Sequence, residues 1–210
     1  DEVVVATGVA PRDPEIAGQD RALGYIEVLN GAAVGRRVAV IGAGGIGFDV
    51  AEYLVAGGHS PTLSPQDWRR EWGVGDPALT PGGLAAPAPD APARQVWLLQ
   101  RKAEKPGRGL GKTTGWIHRA ALQAKGVKML GGVSYDRITE EGLWITRGGE
   151  AELLPVDDLV LCAGQISERG LYERLIAAGL KAHVIGGADV ATELDAKRAI
   201  DQGARLAAAL

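Results

Sequence analysis

The sequence contains a single cysteine, Cys162, among its 210 residues. One thiol cannot form an internal disulfide, and by itself it cannot hold a zinc ion or an iron–sulfur cluster. No run of about 18 apolar residues occurs, which argues against a membrane-spanning helix, and no signal peptide is recognisable. We therefore expect a reduced, cytoplasmic protein in which this chain provides no metal site.

Positive charge is not in excess, since 23 lysines and arginines stand against 26 aspartates and glutamates, for a formal net charge of -3. A nucleic-acid partner would need a basic face for its phosphates, so that class of partner is not expected. An initiator methionine is also lacking, because the chain opens on Asp1-Glu2-Val3. From this opening, which reads as the inside of a strand, we expect a fragment of a longer protein.

Glycine, by contrast, is abundant, with 31 residues, and one cluster is informative: Gly42-Ala43-Gly44-Gly45-Ile46-Gly47. It directly follows the predicted strand Arg37–Ile41 and opens a predicted helix. In that context the glycines make a tight turn, let a pyrophosphate approach the backbone, and let the helix pack close to the sheet. The helix N-terminus adds free N–H groups. We predict a dinucleotide site at Gly42, Gly44, Gly45 and Gly47; a glycine turn that serves packing alone is the alternative.

The choice of dinucleotide depends on the end of the next strand, predicted at Gln95–Gln100. An NAD site places an acidic residue there for the ribose 2′-hydroxyl, whereas a 2′-phosphate requires cations. The residues that follow are Arg101 and Lys102, with Lys105 close behind. An arginine can form two parallel hydrogen bonds to a phosphate, and a lysine contributes the positive charge of its ammonium group. We therefore expect NADP, and the alternative is a solvated basic loop.

The same loop ends in Gly111-Lys112-Thr113, which is nearly the phosphate-binding loop of an NTPase. That motif needs its first glycine at position 106, where the sequence has Pro106. Proline has no N–H to donate to a phosphate. We reject nucleoside triphosphate hydrolysis, and we expect the glycines of residues 107–111 to line the nicotinamide side of a dinucleotide.

The remaining elements follow from apolar runs and the residues that stop them. Predicted strands are Val3–Ala6, Lys128–Leu130, Leu159–Cys162 and His183–Ile185, with Gly142–Thr146 paired to Glu152–Leu154 as a hairpin. Predicted helices are Tyr25–Leu29, Phe48–Val55, Thr114–Lys125, Leu171–Ala178 and Ala191–Ala209. Residues 58–93, rich in proline, glycine and alanine, read as an inserted and partly irregular segment with one helix near Pro65–Trp72.

Four segments together closely resemble the C-terminal part of the bacterial NADPH-dependent 2,4-dienoyl-CoA reductases. They are "VAVIGAGGIGFDVAEYL", "LLQRKAEKPGRGLGKTTGWIHR", "GVKMLGGVSYDRI" and "VIGGADVATELDAKRAI". The resemblance covers essentially the whole chain, including Glu71-Trp72-Gly73 in the inserted segment. These reductases are flavoproteins with an old-yellow-enzyme-like barrel, a group that also includes trimethylamine dehydrogenase.

The resemblance implies an α/β fold in which a Rossmann-like NADPH-binding domain is inserted into a partial FAD-binding domain. Residues 36–164 would form the NADPH domain, and residues 1–35 and 165–210 the flanking parts of the FAD domain. The intact enzyme would pass electrons from NADPH through FAD and a 4Fe-4S cluster to FMN, for reduction of a dienoyl thioester in fatty acid β-oxidation. The barrel, the cluster cysteines and the other half of the FAD domain would precede Asp1, so no catalytic residue is expected here.

Two FAD-binding segments carry over by this resemblance. Thr7-Gly8 is similar to a strand-end turn beside FAD, and Gly187 and Asp189 are similar to residues of a second FAD motif. From the residues alone, a cap of the helix that follows is the preferred interpretation of Asp189. Two other functions stay open, namely a module that holds a nucleotide or docks an electron-transfer partner, as in trimethylamine dehydrogenase, and a stand-alone NADP-binding regulatory domain.

Overall fold

A computed structural model describes residues 2–192 and 195–210 of the chain. The strands are β1 (Val3–Val5), β2 (Val9–Pro11), β3 (Leu23–Gly24), β4 (Arg37–Ile41), β5 (Gln95–Leu99), β6 (Lys128–Leu130), β7 (Val133–Thr139), β8 (Gly142–Arg147), β9 (Glu150–Leu154), β10 (Asp158–Leu161), β11 (Gln165–Ser167) and β12 (Ala182–Val184). The α-helices are α1 (Tyr25–Leu29), α2 (Gly45–Val55), α3 (Pro65–Trp72), α4 (Gly115–Ala124), α5 (Gly170–Ala177) and α6 (Ala196–Ala209).

The chain divides into two compact units, and the second is inserted into the first. Residues 1–14 and 163–210 form the outer unit, and residues 15–162 form the inserted unit. The nested α/β architecture predicted from the sequence is confirmed. The first boundary lies earlier than the predicted residue 35, because β3 pairs with β10 and Val28 of α1 is buried in the core of the inserted unit.

A five-stranded parallel sheet in the order β3-β10-β4-β5-β6 forms the centre of the inserted unit. All but the first residue of β4 and of β5 are buried. Such continuous apolar strands are typical of a parallel sheet that is covered on both faces. Phe48 and Leu54 of α2 and Leu122 of α4 belong to the same buried cluster as Val40 and Leu98, so these two helices are held against the sheet.

A three-stranded antiparallel sheet, β7-β8-β9, follows β6 in the inserted unit. The predicted hairpin is confirmed as β8 and β9, but β7 was missed. Its alternation of buried and exposed residues is interrupted by a register shift between Tyr135 and Arg137. A bulge of this kind breaks the period-two pattern on which a strand prediction depends.

The segment 58–93 contains α3 at the predicted position. Ser64 starts the helix, because its side-chain oxygen accepts a hydrogen bond from the Asp67 amide at 3.2 Å, and Pro65 occupies the first helical position. Gly73 ends it with a left-handed φ of +67°. Serine, proline and glycine at these places are typical start and stop signals of a helix, which is why so local a pattern sufficed to find it.

The outer unit contains two small sheets. β1 pairs with β12 in parallel, and β2 pairs with β11 in antiparallel orientation. Helix α6 begins at Ala196 rather than at the predicted Ala191, because the side chain of Asp195 accepts a hydrogen bond from the Arg198 amide at 2.7 Å. Residues 193 and 194 of the predicted helix lie outside the described residues. No helix within the described ranges is long and apolar enough to cross a membrane.

Two adjacent aspartates, Asp157 and Asp158, bind the backbone amides at the start of β4 and just before it. The Asp157 carboxylate accepts hydrogen bonds from the amides of Arg36 and Arg37 at 3.0 and 2.8 Å, and from the Arg37 guanidinium at 2.6 and 3.0 Å. The Asp158 carboxylate accepts one from the Gly35 amide at 2.7 Å. These contacts align the start of β4 with β10, 120 residues later.

Asp157→Asn is expected to reduce the acid sensitivity of the inserted unit. The Arg37 guanidinium, followed by the backbone amide of Arg37, holds the pKa of Asp157 below its ordinary value of 3.8. Because the pKa is lowered in the folded state, the stabilisation is complete above the ordinary value and is lost as pH falls through the lowered value. Urea unfolding at pH 7 and at pH 3 should show that the free energy of unfolding falls less between these pH values in this variant than in the wild type. Glu140→Gln, at an exposed pair with Arg21, is the control, and an acid loss equal to that of the wild type in Asp157→Asn would contradict the assignment.

Candidate functional site

The glycine turn after β4 has the backbone geometry that its sequence predicts. Gly42 adopts a φ of +116°, which side-chain-bearing residues rarely adopt. A Cβ on Gly47 would lie 1.8 Å from the carbonyl oxygen of Gly42. Only glycine therefore allows α2 to lie this close to the end of β4, so Gly42 and Gly47 are both required by the fold itself.

Gly44 and Gly45 differ from those two, because packing does not require them. A Cβ on either residue would meet no heavy atom within 4 Å. Gly44 precedes α2 and provides no side-chain cap for it, and the first N–H groups of a helix have no partner within the helix. The open backbone and the free donors at this turn fit a pyrophosphate, and packing alone does not account for these two glycines.

The basic loop begins at the same edge of the sheet as the glycine turn. Ile41 and Leu99, the last residues of β4 and β5, are register partners in parallel strands. The Gly42 amide donates to the Leu99 carbonyl at 2.9 Å, so Gln100 and Arg101 leave the sheet beside the turn. The two halves of the predicted dinucleotide site therefore start at one edge of the sheet.

The backbone of residues 101–104 is held in place by groups that the sequence did not reveal. The Gln100 side-chain amide donates to the carbonyls of Lys102 and Glu104 at 3.0 and 2.5 Å. The Gly132 amide also donates to the Lys102 carbonyl, at 2.9 Å. A Cβ on Gly131 would lie 2.7 Å from the Glu104 carbonyl oxygen. The sequence shows only that Gln100 is not acidic. In the structure its side-chain amide fixes the backbone of the basic loop.

The cationic side chains of this loop differ in whether a carboxylate already pairs with them. The Lys102 ammonium lies 3.8 Å from the Glu104 carboxylate, which also pairs with Arg108 at 3.0 Å. Arg101 and Lys105 are exposed and form no ion pair with residues 2–192 or 195–210. Burial raises the pKa of Tyr135 to about 12, while the charge of Arg101 acts in the opposite direction. Arg101 and Lys105 are therefore cations of this loop with which no carboxylate of the described residues pairs, and Arg101 also has a neutral phenol in its surroundings.

The Gly-Lys-Thr segment does not form an NTPase-like cradle. Gly107 has a φ of +77°, and a Cβ there would lie 2.6 Å from the ring of Phe48 in α2. The Arg119 side chain donates to the Pro106 carbonyl at 3.2 Å. Helix α4 begins only at Gly115, whereas a phosphate-binding loop places Gly-Lys-Thr at the start of its helix. The geometry agrees with the rejection of that motif.

In the outer unit, a cavity of about 520 Å³ is lined by Gly187 and Ala6. The three other predicted FAD residues lie outside this lining. Thr7 donates its hydroxyl to the Glu168 carbonyl. Gly8 adopts a φ of +80°, and a Cβ on it would meet no heavy atom within 4 Å. The structure thus places the strand-end turn and the Gly186-Gly187 turn on the same outer unit, with one predicted residue at the cavity.

Asp189 does not cap α6, since that role belongs to Asp195. One Asp189 carboxylate oxygen accepts from the Gln202 amide at 2.6 Å, and the other from the Arg169 guanidinium at 3.1 Å. Gln202 also accepts from the Gly186 amide at 2.8 Å. The sequence did not point to Arg169 or Gln202, because they lie 20 residues before and 13 residues after Asp189.

Two curated proteins resemble this chain over most of its length. It is 27% identical to a metal reductase of Desulforamulus reducens over 176 residues, which are 82% of this chain and 25% of that protein. It is 30% identical to a probable ferredoxin reductase of Castellaniella defragrans over 191 residues, which are 86% of this chain and 37% of that protein. The chain therefore spans a quarter to somewhat over a third of the length of these relatives.

Solved structures of other proteins share the α/β fold of this chain. A 2-naphthoyl-CoA reductase in complex with 2-naphthoyl-CoA superposes with a TM-score of 0.71 at 20% identity, over 97% of this chain and 26% of that one. At this identity the likeness shows the fold. The family model of the pyridine nucleotide-disulphide oxidoreductases matches residues 1–198, and the chain belongs to that family.

Proposed function

We propose that this chain binds NADPH for the reduction of FAD in a larger flavin-dependent oxidoreductase. The observation that carries the proposal is the open glycine turn at the start of α2, beside a strand that ends at Leu99 and is followed by Gln100 and Arg101, with no acidic residue at its tip. An acidic residue at that tip would favour the 2′-hydroxyl of NADH, whereas a cation favours the 2′-phosphate of NADPH.

Each predicted residue then has a defined part in binding. The N–H groups at Gly44 and Gly45 hold the pyrophosphate, and Gly42 and Gly47 shape the turn that presents them. Arg101 binds the 2′-phosphate with its guanidinium fork, and Lys102 and Lys105 add positive charge. Bound together, NADPH and FAD supply the chemistry of hydride donation and acceptance.

FAD binding is assigned to the outer unit. Gly187, at the cavity beside Ala6, lets a cofactor approach the backbone, and Thr7 and Gly8 form the adjacent strand-end turn. Asp189 is held by Arg169 and Gln202, which fixes this segment of the outer unit. The same segment resembles the second FAD motif of the dienoyl-CoA reductases.

The intact enzyme is proposed to reduce a 2,4-dienoyl-CoA through a 4Fe-4S cluster and FMN carried outside this chain. Two findings support this finer assignment. The four quoted segments resemble that family of reductases, and a superposable structure is named as a reductase of another CoA thioester, 2-naphthoyl-CoA. An enzyme of this kind would act in fatty acid β-oxidation.

A second candidate function is a docking module that holds a nucleotide or an electron-transfer partner without using NADPH. The observation that favours it is the pairing of Glu104 with Lys102 and Arg108, which reduces the positive charge available to a 2′-phosphate. The two functions differ in one property, namely the preference for NADPH over NADH.

Calorimetric titration of the chain with NADPH and with NADH tests the proposal directly. Charge-assisted hydrogen bonds to the 2′-phosphate contribute roughly 1.5–3 kcal/mol, so we expect NADPH to bind about tenfold more tightly or better. The nucleotide 2′,5′-ADP should compete for the site, and 5′-AMP should compete much less. Equal affinities for NADPH and NADH would refute the assignment of Arg101 and favour the docking module.

A further inference from the structure

A second cavity lies in the inserted unit, away from the glycine turn. It measures about 730 Å³ and is enclosed by the segment 58–93 together with α2 and α4. Helix α2 contributes the residues near its C-terminus, Glu52 and Val55, whereas the glycine turn is at its N-terminus. The volume is within the range of about 300–1,000 Å³ that is usual for small-molecule sites.

The walls of this cavity are largely apolar and aromatic. The lining includes Trp68 and Trp72 of α3 and Ile117 and Leu122 of α4. Trp68 is 43% exposed and Ile117 is 38% exposed, so their apolar surfaces are not fully covered by the protein. Indole rings supply large apolar contact area, and their faces attract cations.

Negative charge is in excess around the cavity. Three carboxylates line it, from Glu52, Glu71 and Asp90, against the single ammonium of Lys125. Lys125 is paired with Glu71 at 3.1 Å, and these two side chains are only 14% and 17% exposed. The lining also contains the imidazoles of His59 and His118, and its excess negative charge is the one carboxylate that no lysine or arginine in the described part of the chain pairs.

Glu52 is the carboxylate in this lining that has no permanently charged partner among the described residues. Asp90 pairs with the guanidinium of Arg70 at 3.1 Å, whereas Glu52 contacts only the imidazole of His118, at 2.7 Å between oxygen and nitrogen. The Glu52 side chain is 36% exposed. It can accept a further hydrogen bond from a charged donor that enters the cavity.

We propose that this cavity binds a small organic cation, in which an ammonium group is carried on an aromatic or branched apolar body. The apolar body contacts the tryptophans and Ile117, and the ammonium group lies near Glu52. Aromatic faces together with an incompletely paired carboxylate are the chemistry by which proteins recognise such amines. The site is independent of the proposed NADPH site and does not require it.

Phenethylamine and 3-phenylpropionate are matched probes, because they share an aromatic ring and a two-carbon arm and differ in the sign of their charge. Calorimetric titration of the 210-residue chain at pH 7 should show saturable, one-to-one binding of phenethylamine and at least about tenfold weaker binding of 3-phenylpropionate. Equal binding of the two probes, or no binding of phenethylamine at millimolar concentration, would overturn the proposal.

Two variants locate the binding, each with its own control. Trp68→Ala and Glu52→Gln should each weaken phenethylamine by about tenfold. Trp116→Ala, at a 61% exposed tryptophan outside the cavity lining, and Asp49→Asn, an exposed carboxylate on α2, should leave the affinity unchanged. Thermal unfolding checks that each variant folds. If the control variants lose as much affinity as the cavity variants, the amine binds elsewhere and the assignment is wrong.

Discussion

Gly47→Ala is expected to destabilise the inserted unit by about 3 kcal/mol and to abolish nucleotide binding, since overpacking costs of this kind run from about 1 to 3 kcal/mol or more. The new Cβ would lie 1.8 Å from the carbonyl oxygen of Gly42 and 2.9 Å from its carbonyl carbon. Both atoms belong to the backbone, so no side chain can move to relieve the clash. Helix α2 must shift away from the end of β4, and the turn between them is distorted.

Urea unfolding measures the first effect, and titration with NADPH measures the second. Gly45→Ala is the matched control, because it places a methyl group in the same turn where no heavy atom lies within 4 Å. We expect Gly45→Ala to keep or slightly raise the stability while weakening NADPH, since its methyl group enters the approach to the pyrophosphate. A wild-type unfolding midpoint for Gly47→Ala would show that α2 does not pack on Gly42 as described.

Arg101→Ala is expected to weaken NADPH by about 10- to 100-fold and to change NADH by less than about twofold. Charge-assisted hydrogen bonds to the 2′-phosphate contribute roughly 1.5–3 kcal/mol, and NADH has no 2′-phosphate with which Arg101 could form them. Arg101 has no ion pair with the described part of the protein, so its removal leaves no carboxylate unpaired. Its replacement should therefore leave the unfolding midpoint nearly unchanged.

Two further variants make the interpretation of Arg101→Ala specific. Arg21→Ala removes an exposed arginine of the same unit, whose partner is the 83% exposed Glu140, and should affect neither nucleotide. Lys102→Ala should weaken NADPH less than Arg101→Ala does, because Lys102 shares Glu104 with Arg108. A uniform loss of both nucleotides in Arg101→Ala would indicate distortion of the loop and would remove Arg101 from the 2′-phosphate site.

The strands and helices with strong local signals were predictable. Residues 38–41 are apolar and mostly β-branched, and the strand Arg37–Ile41 was found with its observed bounds, as was the helix Pro65–Trp72 with its serine, proline and glycine signals. Elements without such signals were missed. The strands β2 (Val-Ala-Pro) and β11 (Gln-Ile-Ser) contain no continuous run of apolar residues that favour strands, and a bulge interrupts β7.

The candidate site was predictable in its residue types but not in the contacts that hold it. Spacing alone indicates a turn at Gly42–Gly47, because each glycine acts on its own stretch of backbone. Spacing could not show that Gln100 fixes the basic loop or that Glu104 neutralises Lys102, because side-chain directions in an irregular loop are not periodic. Asp189 is a further case, since its partners Arg169 and Gln202 are distant in sequence.

By itself the sequence determined the local backbone, namely which residues can turn, which prefer a buried strand and where a helix starts or stops, because these preferences depend on the chemistry of neighbouring residues. Only the tertiary structure decided that β4 and β5 are neighbours in register, so that the glycine turn and Arg101 share one edge. It also decided that segment 58–93 encloses a cavity with α2 and α4. Both depend on pairing between residues far apart in the chain, which a local pattern does not encode.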